Sequence, residues 1–145
     1  LGPLSQLGCG LPYAMGAKLA RPEADVMLFL GDGSFGFYGM EYDTAVRFNI
    51  PITTIMGNDS AWGIDKGFQL EYYGRAVSTD LRYIRYDEIV TTLGGYGEHL
   101  EKREEIVPAV KRAMASDKPS LVNISIASKR SPLADAMIAR KMGPR

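Results

Sequence analysis

Phe29-Leu30-Gly31-Asp32-Gly33-Ser34-Phe35-Gly36 is the stretch on which the reading of this chain turns. An apolar, strand-like run from Asp25 to Leu30 leads into it, and glycines 31, 33 and 36 fit the pattern G-x-G-x-x-G. That pattern marks a phosphate-binding turn between a strand and a helix, where bare backbone N–H groups and the helix dipole attract phosphate oxygens. Asp32 sits at its centre. A free carboxylate there repels the anion that the turn should attract.

A divalent cation between the carboxylate and a diphosphate removes the conflict. Mg²⁺ prefers oxygen and combines a few protein ligands with phosphate oxygens and water. One carboxylate is too few, so a second oxygen ligand is expected at the end of the following strand. Asp59, 27 positions after Asp32 and next to Asn58, is placed for it.

Outward from this stretch, helices and strands alternate. Pro12 suits the first turn of a helix over 13–20, and Arg21-Pro22 closes it. Strand 25–30 precedes the glycine turn, and helical spacing of apolar residues predicts one helix from Tyr38 to Phe48. Pro51 introduces a β-branched strand over 52–56, broken by Gly57-Asn58-Asp59-Ser60. The aromatic segment 62–80 reads as a short helix with an ordered loop. Asp87 is placed to cap a helix ending near Leu93, followed by a short strand over 96–100 and a helix over 103–115. Residues 120–126 alternate as a third long strand, and Ser131-Pro132 opens a final helix to about Lys141. The order predicts an α/β domain with a mostly parallel sheet and helices on both faces. Ligands of such sheets lie at the carboxyl ends of the strands, so 31–36 and 57–60 belong on one edge.

The bulk properties suit a single domain. Of 145 residues, 46% are hydrophobic, and 17 basic residues balance 17 acidic ones, which gives no electrostatic case for nucleic acid or an anionic membrane. No apolar run approaches the roughly 18 residues of a membrane helix. One cysteine, Cys9, excludes an internal disulfide framework and fits a cytoplasmic, reducing compartment. The opening Leu1 to Gly10 reads like the middle of a structured segment, as in a piece of a longer chain.

Gly31-Asp32-Gly33-Ser34 followed by Asn58-Asp59-Ser60-Ala61-Trp62-Gly63 resembles the thiamine-diphosphate (ThDP) motif, G-D-G and then Asn-Asn. Leu7-Gly8-Cys9-Gly10-Leu11-Pro12-Tyr13-Ala14-Met15-Gly16-Ala17 resembles the Gly-Leu-Pro-x-Ala-x-Gly-Ala segment of the same domain. The likeness covers roughly residues 4–126. It is closest to the acetolactate synthase, 2-hydroxyacyl-CoA lyase, oxalyl-CoA decarboxylase and benzaldehyde lyase branch. The resemblance implies a pyrophosphate-side ThDP domain over 1–126 and a C-terminal tail or lid over 127–145. It implies Asp32, Asp59 and the Ala61 carbonyl as Mg²⁺ ligands, although the usual pattern has Asn where Asp59 stands. Cofactor contacts are implied for Leu7, Gly31, Asp32, Gly33, Ser34, Asn58, Ala61, Trp62 and Gly63, with Leu7 wedging the cofactor into its bent form. Trp62 and Gln69 are implied on the substrate side. The family's catalytic glutamate comes from a pyrimidine-binding domain outside this chain. The implied enzyme is therefore a ThDP- and Mg-dependent lyase or transferase acting on a small carbonyl or acyl-CoA substrate, complete only with that domain and assembled as a dimer or tetramer.

Simpler readings stand beside these. Asp32 alone reads as a cap for a helix starting near Phe35, Asp59-Ser60 as a plain turn, and Leu7 and Trp62 as core residues. Cys9 reads as a buried inert thiol, His99 as a structural or surface histidine, and Lys129, Arg130, Arg140, Lys141 and Arg145 as a solvated basic face. The competing functions are a Rossmann-type NAD module, with Asp59 as its ribose-binding acid, and a non-catalytic subunit that kept the fold.

Overall fold

The computed structural model describes residues 6–130 and 132–142. Eleven numbered elements follow one another: α1 (Gly10–Ala20), β1 (Met27–Gly31), α2 (Asp32–Tyr38), α3 (Glu41–Arg47), β2 (Thr53–Asn58), α4 (Gly63–Tyr73), α5 (Tyr86–Thr92), β3 (Tyr96–Leu100), α6 (Ile106–Ala115), β4 (Ser120–Ser125) and α7 (Pro132–Met142). The four strands form one parallel sheet in the order β1-β2-β4-β3.

The direction of travel across the sheet explains which face each helix covers. From β1 through β2 to β3 the chain moves one way, and from β3 back to β4 it moves the other. Crossovers between parallel strands are right-handed, so the reversal sends its helix to the opposite face. Accordingly α1, α2, α3 and α5 build one core with Leu11, Met15, Phe35, Tyr42, Met56, Val90 and Leu121. The other face packs α6 on β3 and β4 through Leu100, Ala109, Ala113 and Val122. On that face no described element covers β1, and Phe29 is 71% exposed.

Tyr42 ties the first core together. Its ring is fully buried, its hydroxyl lies 2.5 Å from Thr54 Oγ1 on β2 and 3.5 Å from the Ser120 carbonyl on β4. Burial pushes the phenol well above its ordinary pKa, with the Thr54 hydrogen bond opposing the shift, so it stays a neutral donor.

Three local expectations are corrected. The single helix over 38–48 is two, because Gly39 and Met40 separate α2 from α3 and a Cβ at Gly39 would lie 2.3 Å from the Phe35 ring. Asp87 does not cap α5; it lies inside the first turn, 3% exposed and paired with Arg85. Cys9 is half-buried rather than buried, with its thiol donating to the Gln6 carbonyl at 3.0 Å. Among the described residues no helix is long and apolar enough to cross a membrane.

Removing the Tyr42 hydroxyl leaves Thr54 buried without that partner, which costs about 1–3 kcal/mol. Tyr42→Phe is therefore expected to lower the denaturation midpoint, and adding Thr54→Val to recover most of the loss. A urea titration of the single and double variants checks both parts.

Candidate functional site

The register makes the carboxyl ends of β1 and β2 flush, with Gly31 opposite Gly57. Two strand ends without side chains leave an opening above the sheet. Gly31 is the N-cap of α2, in extended conformation and without a side-chain cap bond, so Asp32 is the first helical residue and not the cap.

Asp32 is 2% exposed. Its Oδ2 is one of two buried side-chain polar atoms without a hydrogen-bond partner among the described residues, the other being Thr79 Oγ1. Burial raises the Asp32 carboxyl above its ordinary pKa, and the nearby Asp59 charge adds to the rise. The backbone N–H groups of Asp32, Gly33 and Ala61 oppose it. An unpartnered carboxylate oxygen facing a second carboxylate is an arrangement that a cation relieves.

The turn after β2 presents Ala61 to this point. Ser60 adopts φ 55°, and the Ser60 carbonyl and Trp62 N–H bond to Leu81 N–H at 2.7 Å and the Thr79 carbonyl at 2.8 Å. Ala61 pairs with Asp80 as an antiparallel bridge between those two bonds. Alternate peptide groups of an extended chain point opposite ways, so the Ala61 N–H and carbonyl both face away from that partner. That is the side where the Ala61 N–H meets the Asp32 carboxylate.

Trp62 forms a wall. Its ring stands edge-on to Phe37 with centroids 5.6 Å apart, and a Cβ on Gly33 would lie 2.9 Å from its Cε3. Only glycine lets the start of α2 approach the indole so closely. Leu7, 51% exposed, reaches the rim because Gly8 takes φ 89° directly above Phe37, where a Cβ would fall 2.4 Å from the Phe37 Cβ.

These residues surround one open pocket of about 480 Å³. Of those anticipated from sequence, Leu7, Gly31, Asp32, Gly33, Ser34, Asp59, Ala61, Trp62 and Gly63 line it. Asn58 does not: it is 2% exposed, and its amide bonds Ile84, Asn123 and the Ser60 N–H. Gln69 is also elsewhere, accepting the Val77 N–H at 2.6 Å as a loop brace. His99 contacts Tyr83 and Ser125 hydroxyls, outside the pocket. Sequence reasoning missed Gly57, Ile64, Asp65, Ile126, Ala127 and Lys129 in the lining. The end of the third long strand was the available signal for 126–129. An adjoining groove of about 340 Å³ shares Gly63 and Lys129 and runs along α4 to Arg130. There Arg130 joins Glu71 of α4 at 2.7 Å and Asp135 of α7 at 2.5 Å, so this member of the basic tail is ion-paired rather than simply solvated.

Among the described residues no group of three or more His, Cys, Asp and Glu could hold a metal by itself. Asp32 and Asp59 supply only hard oxygen donors, and main-chain and ligand oxygens must complete any shell they form. This donor set suits Mg²⁺ with a diphosphate.

Residues 2–124 match the family described as thiamine pyrophosphate enzyme, C-terminal TPP binding domain. The chain belongs to this family. Over 124 residues this TPP-binding domain is 48% identical to the acetolactate synthase large subunit of Mycobacterium tuberculosis, covering 85% of the chain and 23% of that protein. It is 36% identical over 143 residues to human 2-hydroxyacyl-CoA lyase 2, covering 95% of the chain and 22% of the relative. A solved ThDP-dependent 4-hydroxybenzoylformate decarboxylase from Rhodococcus jostii RHA1 superposes with a TM-score of 0.79 at 30% identity, over 86% of this chain and 24% of that one. The domain thus spans about a quarter of the length of these relatives. The α/β ThDP-binding fold and the cofactor anticipated from the two motifs are both borne out.

The raised Asp32 carboxyl sets a pH dependence of the metal-free protein. A group that holds its proton more tightly when folded adds stability below its unfolded pKa and loses it as pH rises through the folded value. Asp32→Asn is therefore expected to raise the melting temperature of the metal-free protein at pH 7, with the gain shrinking toward zero below about pH 4. Thermal melts in EDTA across that range check the sign.

Proposed function

We propose that this domain holds the diphosphate end of ThDP through Mg²⁺, in an enzyme that makes or breaks a carbon–carbon bond next to a carbonyl. The chemistry is 2-hydroxyacyl-CoA lyase-like or acetolactate-synthase-like, in keeping with the names of the relatives. The unpartnered Asp32 Oδ2 carries the reading, because it is a buried carboxylate oxygen that no described residue satisfies.

In this reading Asp32, Asp59 and the Ala61 carbonyl hold the cation. The N–H groups at the start of α2, Gly33 and Ser34, receive the diphosphate, and Gly31 keeps the approach free of a side chain. Trp62 and Gly63 form the wall, and Leu7 supports the bent cofactor from the rim. Asn58 acts from behind the turn rather than by contact. When bound, ThDP supplies the electron sink for carbon–carbon cleavage or formation. The chain's residues orient it and exclude water.

The reading includes a partner. A pyrimidine-binding domain, in the same polypeptide or another, supplies the glutamate that handles the aminopyrimidine proton, and active sites form at that interface in a dimer or tetramer. Residues 1–126 form the cofactor module and 127–145 a C-terminal tail or lid, which the Arg130 bond to Glu71 ties to α4. A reducing compartment such as the cytoplasm fits the one cysteine of the chain.

Calorimetric titration of ThDP into the assembled protein is expected to show binding with Mg²⁺ and none with EDTA, and no binding of NAD. Asp32→Ala is expected to abolish that binding while the protein stays folded by circular dichroism. Asp59→Asn restores the family pair and is expected to keep ThDP affinity within about tenfold, roughly 1.4 kcal/mol. Metal-independent NAD binding, or strong ThDP binding by folded Asp32→Ala, would overturn the reading.

A further inference from the structure

Asn58 is the one residue expected at the cofactor that turns away from it, and what it touches continues across the sheet. Its Nδ2 donates to the Ile84 carbonyl at 3.0 Å and to Asn123 Oδ1 at 3.2 Å, and its Oδ1 accepts the Ser60 N–H at 3.2 Å. Asn123, fully buried on β4, donates from Nδ2 to Asp87 Oδ1 at 2.8 Å. Asp87 in turn accepts Arg85 Nε at 3.0 Å and an Arg85 terminal nitrogen at 2.6 Å. The line runs Arg85, Asp87, Asn123, Asn58, Ser60, from the start of α5 to the turn that carries Asp59.

The line has a direction. An ionised carboxylate only accepts hydrogen bonds, whereas a primary amide offers a donor end and an acceptor end. Asp87 therefore makes Asn123 point its NH₂ toward α5 and its oxygen toward Asn58. That oxygen makes Asn58 present its NH₂ to Asn123, which leaves the Asn58 oxygen for Ser60. Rotating either amide by half a turn would set acceptor against acceptor in a buried place, at about 1–3 kcal/mol for each bond lost. Burial pushes the Asp87 carboxyl up, but the Arg85 and Asn123 bonds outweigh it and hold the group below the usual carboxylate range. It remains an acceptor at neutral pH.

The far end of the line is where outside support is needed. Ser60 has φ 55°, a left-handed conformation that is unfavourable for a residue with a Cβ. It links Asp59 to Ala61, so its conformation decides whether a carboxylate and a carbonyl converge on Asp32.

We propose that Asp87 and Asn123 are positioning residues for the cation-holding turn, fixing the polarity of the Asn58 amide and through it the backbone from Asp59 to Ala61 without touching the cofactor. The inference rests on the proposed function, since it assigns a purpose to the turn. An asparagine at position 87 has nearly the shape of aspartate but offers either end to Asn123, so it removes the direction and keeps the packing.

The test is the apparent Mg²⁺ affinity of the assembled protein at saturating ThDP, read by calorimetry beside the melting temperature. Asp87→Asn is expected to weaken Mg²⁺ at least tenfold. Asn123→Ser, whose shorter side chain cannot bridge Asp87 and Asn58, is expected to do the same and serves if Asp87→Asn does not fold. Val90→Ala, on the fully buried face of α5, is the stability control and is expected to lower the melting temperature with Mg²⁺ affinity within twofold of wild type. Near-wild-type Mg²⁺ affinity in folded Asp87→Asn or Asn123→Ser overturns the inference alone, as does an equal loss in Val90→Ala. Wild-type protein that binds no ThDP with Mg²⁺ overturns the proposed function and this inference with it.

Discussion

A buried negative charge at the end of the first strand is the constraint around which this domain is arranged. Asp32 lies in a place where an uncompensated carboxylate is costly, with one oxygen left unpaired. The neighbouring features answer that charge. Three backbone N–H groups point at it, the strand ends beside it are glycines, and the turn after β2 brings a carbonyl to the same side. The tension makes sense in a protein that is finished by a cation and a diphosphate. Asp59 increases it, since the family pattern has a neutral amide there.

Much of this was legible in the chain itself, because it depends on local chemistry. A glycine turn after an apolar run, a carboxylate within it, and a second oxygen ligand after the next strand are all features of short segments. Parallel α/β architecture places them on one edge whatever the details. What escaped the sequence depends on contacts between distant residues. The break between α2 and α3 falls at Gly39 and Met40, with Gly39 against the Phe35 ring, where helical periodicity alone runs straight through. Asn58 was assigned to the cofactor because it precedes Asp59, but its partners Ile84 and Asn123 are 26 and 65 positions away. Asp87 has the spacing of a helix cap, and only the fold shows it buried against Arg85 and Asn123.

The dinucleotide reading was the serious rival, and the spacing between the glycine turn and Asp59 did not separate the two. The site does so through chemistry. A pyrophosphate without a metal would meet both Asp32 and Asp59, with Lys129 the one basic side chain of the pocket lining among the described residues. Membership of the TPP-binding family, over residues 2–124, agrees with the cation-dependent alternative.

The strand order also dictates when the domain can be completed. Among the described residues β3 pairs only with β4, and β4 pairs with β2, so the last of these four strands in chain order is the one that joins the sheet. As the chain leaves the ribosome, β1 and β2 can associate early, while β3 and α6 must wait for residues 120–125. Pairings between remote segments are slow because they close long loops before gaining contacts. Asn123 arrives with that strand, so the Asn58 amide behind the turn that bears Asp59 gains its partner on the sheet only when residues 120–125 are in place.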